Sequence, residues 1–329
     1  MYIRAIRAAR AGGPEVLELV ELPEPSPGPG ELVVQVEAAG VNFIDTYRRS
    51  GVYPSPFPHV VGREGAGRVV GTGPGVSEFR AGQAVAWAEA PGSYAERVVV
   101  RARDALPVPE GVDLPTAAAL PLQGMTAHYL AVSTFPVQPG QDVLVHAAAG
   151  GVGLLLTQLV TARGARVIAT VSTPQKEQLA REAGAAEVIR YTELPELATD
   201  LPAAVRSLTD GLGVHVVFDG VGKDTFDASL AALRRRGTLA LFGGASGQVP
   251  PFNPQRLSAG GSLFLTRPTL GDYIADREEL TWRAGELFEA VAGGQLKVRI
   301  GATYPLAEAA AAHAALESRR TTGKVLLVP

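Results

Sequence analysis

The spacing of apolar positions changes near residue 122. Before it, short β-type runs at Glu31–Glu37, Gly67–Val70, Ala84–Ala88 and Glu96–Val100 are separated by glycine and proline. The stretch E-L-P-E-P-S-P-G-P-G-E at 21–31 can form neither a helix nor a central strand. Short strands with frequent turn signals predict an all-β module, a small barrel. Beyond residue 122, apolar runs of four to six residues alternate with segments of helical length. Strands are predicted at Val143–His146, Arg166–Val171, Glu187–Arg190, Val214–Asp219 and Thr238–Gly243, with Ser262–Thr266 as a closing strand. Helices are predicted near 151–163, 174–183, 201–209 and 224–235. Such alternation belongs to a parallel, doubly wound sheet. From about residue 268 the pattern predicts a long helix over Asp276–Gly293, a β-type stretch, an alanine-rich helix over Leu306–Arg319 and a final strand, Gly323–Val328. That strand is expected to return to the first module. The chain is therefore α/β, with a discontinuous domain (1–122 and 267–329) into which a Rossmann unit (123–266) is inserted.

Composition narrows the chemistry. The 329 residues are 46% hydrophobic and 19% charged, as in globular chains with real cores. A net charge of −3 gives no general pull toward nucleic acid or anionic membrane. No apolar stretch approaches the roughly 18 residues of a membrane span, and the basic N-terminus lacks the apolar stretch of a signal peptide; a cytoplasmic protein is expected. The complete lack of cysteine removes disulfides, thiolate catalysis and cysteine-based zinc sites. Its five histidines, His59, His128, His146, His215 and His313, never fall in a helical pair, so no metal is expected.

The run V-H-A-A-A-G-G-V-G at 145–153 joins a predicted strand to a predicted helix. Gly150 allows backbone to approach a pyrophosphate, Gly153 allows the helix to pack on the strand, and helix N–H groups face the phosphates. A tightly packed turn with no ligand would look similar in isolation; the surrounding βαβ alternation favours a dinucleotide. At the next strand end an NAD site would carry Asp or Glu for the ribose hydroxyls. Here the strand runs into Ser172-Thr173-Pro174-Gln175-Lys176. Hydroxyls and an ammonium suit a 2′-phosphate, so NADPH is the expected cofactor. Lys176 is one of four lysines among 30 basic residues.

These and further motifs resemble the zinc-independent quinone oxidoreductase (zeta-crystallin-like) branch of the medium-chain dehydrogenase/reductase superfamily, bacterial NADPH:quinone reductases above all. They are G-V-N-F-I-D-T-Y-R-R-S-G-x-Y at 40–53, G-R-E-G-A-G at 62–67, H-A-A-A-G-G-V-G at 146–153, F-D-G-V-G at 218–222, L-T-R-P at 265–268, E-S-R at 317–319 and G-K-V-L-L at 323–327. The family's A-x-x-G-x-x-G turn is met by Ala147, Gly150 and Gly153. The resemblance implies a GroES-like barrel domain beside the Rossmann domain, an active site between them, and a homodimer. It implies that Phe43, Ile44, Asp45, Thr46, Tyr47 and Tyr129 line the nicotinamide side and that Gly151 and Val152 meet the pyrophosphate. Ser172, Thr173, Lys176, Tyr191 and Arg319 would surround the 2′-phosphate, and Val221, Phe242, Gly243, Phe264, Leu265 and Thr266 the nicotinamide half. Zinc-dependent relatives look like G-H-E where this chain has Gly62-Arg63-Glu64, so the Lewis acid of an alcohol dehydrogenase has no ligands. Gln123 stands where some relatives carry Lys, which bears on substrate preference.

Quinone reduction with NADPH asks the protein mainly to position a ring and shield it. A donor near the quinone oxygens would stabilise developing charge. Asn42, Tyr47 and Tyr53 are the candidates for substrate positioning. Asn42 alone could equally be a turn residue at positive φ, and each tyrosine a packed aromatic. Asp45 and Glu64 read as organisers of hydrogen bonds rather than acids, and His59 and His128 as structural. A reductase of activated C=C bonds would use the same fold and cofactor. An NADPH-binding structural or RNA-binding protein is a third reading, which the net charge and the lack of a basic–aromatic motif argue against.

Overall fold

The computed structural model describes residues 1–329, which divide into two compact units, Met1–Met125 with Ile274–Pro329, and Thr126–Tyr273. The first unit opens with β1 (Tyr2–Ala8), β2 (Leu17–Pro23), β3 (Glu31–Val41), α1 (Phe43–Arg49), β4 (His59–Val60), β5 (Glu64–Thr72), β6 (Ala84–Trp87), β7 (Arg97–Arg101), β8 (Leu106–Pro107) and α2 (Leu114–Ala119). Helix α3 (Pro121–Tyr129) runs across the boundary into the second unit. There follow β9 (Asp142–Val145), α4 (Gly151–Ala162), β10 (Arg166–Val171), α5 (Pro174–Glu182), β11 (Glu187–Arg190), α6 (Leu197–Ser207), β12 (Val214–Asp219), α7 (Phe226–Ala232), β13 (Leu233–Leu241), α8 (Gln255–Ala259), β14 (Phe264–Thr266) and α9 (Leu270–Tyr273). The first unit resumes with α10 (Arg277–Ala292), β15 (Ile300–Pro305), α11 (Ala309–Glu317) and β16 (Lys324–Val328). No helix is long and apolar enough to cross a membrane.

Strand β3 is the spine of the first unit. Its eleven residues pair antiparallel with β5 along most of their length, with β7 over Glu31–Gln35, and with β16 over Ala39–Val41. The resulting seven-stranded sheet runs β15-β16-β3-β5-β6-β8, with β7 on β3. A separate sheet orders β2-β1-β4. Alternating apolar residues (Leu32, Val34, Val36, Val69, Val85, Val98) fill the interior around fully buried Trp87 and Tyr94. The terminal strand does return to the first module, where it pairs with β3.

The second unit is a six-stranded parallel sheet ordered β11-β10-β9-β12-β13-β14. This is the doubly wound order, in which the sequence of strands across the sheet reverses between β9 and β12, and ligands gather at the carboxyl ends there. The apolar residues of both central strands are fully buried (Val143, Leu144, Val145; Val216, Val217, Phe218), as in strands covered on both faces.

Two expectations are corrected. The helix expected near 224–235 stops at Ala232, and β13 begins at Leu233, five residues earlier than the predicted Thr238. Arg236 adopts φ +58° and gives its N–H to Gly261 O, a geometry no helix continues through. The alanine-rich helix starts at Ala309, because Leu306–Glu308 forms a tighter 3₁₀ turn. The short helices α1, α2 and α3 sit in a region that reads as β-type from its glycine and proline spacing.

Candidate active site

At the carboxyl edge of the parallel sheet, β9 ends in the turn 146–150. Ala147 takes φ +50°, a left-handed conformation that L-residues rarely adopt. Ala148, fully buried, donates its N–H to Thr170 O at 3.2 Å, and Gly150 donates to Ala147 O at 2.9 Å. A Cβ on Gly153 would lie 2.4 Å from Ala147 O and 2.7 Å from Ala148 Cα. The first turn of α4 is thus pressed directly onto the strand end. Gly150 is its N-cap and offers no side-chain oxygen, so the first-turn N–H groups take no side-chain cap. An uncapped helix N-terminus in this place suits a phosphate.

Beneath the turn lies a buried polar chain. His146 Nδ1 meets Thr170 Oγ1 at 2.9 Å, and its Nε2 meets Ser229 Oγ at 3.0 Å. Ser229 donates to Asp219 Oδ2 at 2.7 Å. Asp219 Oδ1 accepts from the N–H groups of Val221 (2.8 Å) and Gly222 (3.0 Å), and Thr225 bridges both carboxylate oxygens. Phe242 and Gly243 donate their N–H groups to Asp219 O. One carboxylate residue therefore ties together the loops after β12 and β13, which hold Val221, Phe242 and Gly243. Burial pushes His146 below its ordinary value, so the ring is neutral.

Strand β10 ends at Val171, Ser172 follows it, and Thr173 caps α5 by accepting from Lys176 N at 3.2 Å. Thr192 donates to Ser172 O at 2.9 Å and draws Tyr191, at the end of β11, alongside. Partial burial lowers the Lys176 ammonium from its ordinary value. Glu177, the neighbouring carboxylate, is engaged by Arg181 at 2.9 Å and Arg190 at 3.2 Å. Ser172, Thr173, Lys176 and Tyr191 thus share one corner of the edge. Leu265 and Thr266 lie on β14 beside β13; Phe264 begins that strand and is 60% exposed. Tyr129 is buried and stacks on Tyr273, with ring centroids 4.2 Å apart and planes at 5°.

In the first unit, α1 splits its residues between two faces. Phe43, Ile44 and Tyr47 are partly exposed; Asp45, Thr46 and Arg49 are buried. Phe43, Tyr47 and Tyr53 form an aromatic row, with centroids 6.1 Å and then 5.4 Å apart. Asp45 Oδ2 accepts from Asn42 N at 2.9 Å and from Tyr94 Oη at 3.0 Å, while its Oδ1 is buried without a partner. Burial raises this carboxyl to about 7. Thr46 donates to Phe43 O. The Asp45 and Thr46 side chains therefore serve the interior of this unit. Arg319 is exposed, just past α11, at φ +57°.

Asn42 is the N-cap of α1 at φ −133°, not a turn residue at positive φ. Its side chain is only 3% exposed and joins Glu64, Gln123 and Lys324. Lys324 escapes sequence reasoning, because a lysine before an apolar strand reads as a solvated end. The one hint is that Lys324 and Glu64, of opposite charge, each follow or precede glycine at the start of an otherwise apolar strand. Arg63, in the G-R-E triplet, is paired with Glu89.

No three His, Cys, Asp or Glu side chains cluster as metal ligands; Glu64 is held by an ammonium and Arg63 is a cation. The donor set does not fit zinc. The nucleotide-binding edge does fit NADPH: an uncapped helix start for the pyrophosphate, and hydroxyls with an ammonium for the 2′-phosphate, the nearby Glu177 being held by Arg181 and Arg190.

Residues 151–281 match the zinc-binding dehydrogenase family and residues 28–110 the alcohol dehydrogenase GroES-like domain. A quinone oxidoreductase of Pseudomonas aeruginosa is 45% identical over 328 residues, covering 99% of each chain. The crystal structure of Escherichia coli quinone oxidoreductase complexed with NADPH superposes with a TM-score of 0.95 at 44% identity, covering 99% of this chain and 100% of the other. A 2-haloacrylate reductase of a Burkholderia species is 42% identical, covering 97% of each chain.

Proposed function

The chain belongs to the medium-chain dehydrogenase/reductase superfamily, in its quinone oxidoreductase branch, and on that premise we propose how it works as an NADPH-dependent, zinc-independent quinone reductase. The observation that carries the cofactor is the end of β10, where Ser172, Thr173 and Lys176 stand in place of a carboxylate. Bound NADPH supplies the electrons. The N–H groups of Gly151 and Val152 hold the pyrophosphate at the start of α4. Lys176, Ser172 and Tyr191 hold the 2′-phosphate. The loops clamped by Asp219 present Val221, Phe242 and Gly243 to the nicotinamide half. Tyr47 and Tyr53 orient the quinone with their rings. No side chain is asked to be an essential acid: Glu64 is paired with Lys324, and Asp45 is turned inward. The exposed Phe264 on β14, the edge of the parallel sheet, supports a homodimer.

Steady-state kinetics with 1,4-benzoquinone test this reading. NADPH is expected to exceed NADH in kcat/KM by at least about tenfold, the scale of one or two charge-assisted hydrogen bonds. Lys176→Met should erase most of that preference by raising KM for NADPH alone. Equal values for the two cofactors would overturn it. The haloacrylate-reducing relative supports a second reading, reduction of activated C=C bonds on the same frame. A panel of quinones against enones, with NADPH consumption followed, ranks the two.

A further inference from the structure

The carboxylate of Asp219 only accepts hydrogen bonds. Its partners are the amides of Val221 and Gly222 and the hydroxyls of Thr225 and Ser229, the last at 2.7 Å. A hydroxyl has one proton, and that of Ser229 points at Asp219. Ser229 Oγ must therefore accept from His146 Nε2, 3.0 Å away. Burial keeps the imidazole neutral, so a ring protonated at Nε2 is bare at Nδ1 and accepts there from Thr170 Oγ1 at 2.9 Å. Donation thus runs one way, from Thr170 through His146 and Ser229 to Asp219. None of the four is more than 2% exposed, so water does not compete for these bonds.

These bonds cross the parallel sheet between two corners of its nucleotide-binding edge. Thr170, His146 and Asp219 stand at the ends of β10, β9 and β12, which are neighbours in the sheet, and Ser229 lies on α7. Thr170 stands just before Val171 and Ser172, and its carbonyl also takes the Ala148 N–H of the glycine turn. At the far end Asp219 holds the loop after β12, and that loop bears on the next. A Cβ on Gly243 would lie 2.4 Å from Gly220 O, and one on Gly222 2.9 Å from Gly247 O. The loops after β12 and β13 therefore shift together or not at all. Were the imidazole proton on Nδ1, Nε2 would compete with Asp219 for the one Ser229 proton, and a carboxylate sealed from water would lose a donor.

We infer that His146 is a positioning residue for the nicotinamide half of NADPH: with its proton held on Nε2 by Thr170, it orients Ser229 and Asp219 and, through them, the loops after β12 and β13. This rests on the reading that those loops meet the nicotinamide half. The tautomer is selected at the end of β10, beside the corner that takes the 2′-phosphate, and it acts at the end of β12. His146 touches no part of the cofactor in this scheme. Its effect on the nicotinamide passes entirely through the Asp219 clamp.

Two substitutions cut the chain of bonds at different links and keep the shape of the site. Thr170→Val removes the hydroxyl that selects the tautomer, and Ser229→Ala removes the link to Asp219. In both, the Val221 and Gly222 amides should exchange with deuterium about fivefold faster in the nucleotide-free protein, the scale of one weakened hydrogen bond. Calorimetric titration should show NADPH weakened about fivefold, with adenosine 2′,5′-bisphosphate, which lacks the nicotinamide, bound as in the wild type. Thr170→Ser, which keeps the hydroxyl, should restore both readouts. In the wild type itself, a ¹H–¹⁵N spectrum of the His146 ring should place the proton on Nε2. A proton on Nδ1, unchanged exchange at Val221 and Gly222 in Thr170→Val, or equal weakening of NADPH and the bisphosphate would overturn the inference. A wild-type protein that binds NADPH no more tightly than the bisphosphate would instead overturn the reading that these loops meet the nicotinamide half.

Discussion

At Asp45 and His313, burial acts on two groups with opposite consequences. A chain of contacts runs from Asp45 Oδ2 through Tyr94 Oη (3.0 Å) to His313 Nε2 (3.2 Å), and from His313 Nδ1 to Arg49 (3.0 Å). Arg49 can only donate, so Nδ1 accepts and Nε2 carries the proton toward Tyr94. Burial lifts Asp45 from 3.8 to about 7, and burial with Arg49 lowers His313 from 6.5 to about 3. Between about pH 4 and 7 the folded chain keeps a proton on Asp45 that the unfolded chain has released, so stability falls as pH rises. From about pH 6.5 down to 3 the unfolded chain binds a proton that His313 refuses, so stability falls as pH drops. The two slopes, each approaching about 1.4 kcal/mol per pH unit, offset one another between pH 4 and 6.5. Asp45→Asn removes one of them. Its melting temperature should drop more steeply than the wild type's on acidification from pH 6.5 to 4; a variant that follows the wild-type curve would refute the assignment. The sequence shows Asp45, Tyr94 and His313 only as isolated residues, since 49 and 219 positions of chain separate the partners. The aromatic row is more legible, because Phe43 and Tyr47 stand one helical turn apart.

The glycine turn is the element in which sequence and structure agree most closely, and also where a residue type misleads. Gly150 and Gly153 stand where backbone approach and helix packing need them. Ala147, by contrast, takes a left-handed φ that invites glycine, and nothing in the sequence marks that strain. A methyl at 153 would strike the Ala147 carbonyl, which the buried Ala148 behind it keeps from yielding. Gly153→Ala is therefore expected to cost about 1–3 kcal/mol in stability, the usual penalty for overpacking. Because the helix start moves with it, NADPH affinity should fall by at least about tenfold, as read by fluorescence titration of the nucleotide. Unchanged affinity would show that α4 does not hold the phosphates. The strands of the parallel sheet are legible too, because buried parallel strands are continuous apolar runs. The start of β13 is not, because an Arg-Arg-Arg-Gly stretch has no strand signature and is set by tertiary pairing with β12.

On the scale of the whole molecule, the parallel sheet leaves β14 at its edge with Phe264 60% exposed. If that edge seats a second copy, Phe264→Arg should give a monomer by light scattering where the parent is a dimer; a dimer that persists would place the interface elsewhere. The division into a β-rich and a parallel α/β part follows from hydrophobic spacing alone, but the charges that close the first part do not. Strand β16 brings Lys324 to Glu64 from 260 positions away in the chain. This has a consequence for synthesis on the ribosome. The second unit, Thr126–Tyr273, emerges with every strand of its sheet already made. The first unit has meanwhile been waiting with one flank of β3 open and the Glu64 carboxylate lacking its counter-ion, and it must go on waiting until Ile274–Pro329 follows. Nascent chains stalled before Lys324 should therefore carry a protease-resistant middle and a protease-sensitive beginning.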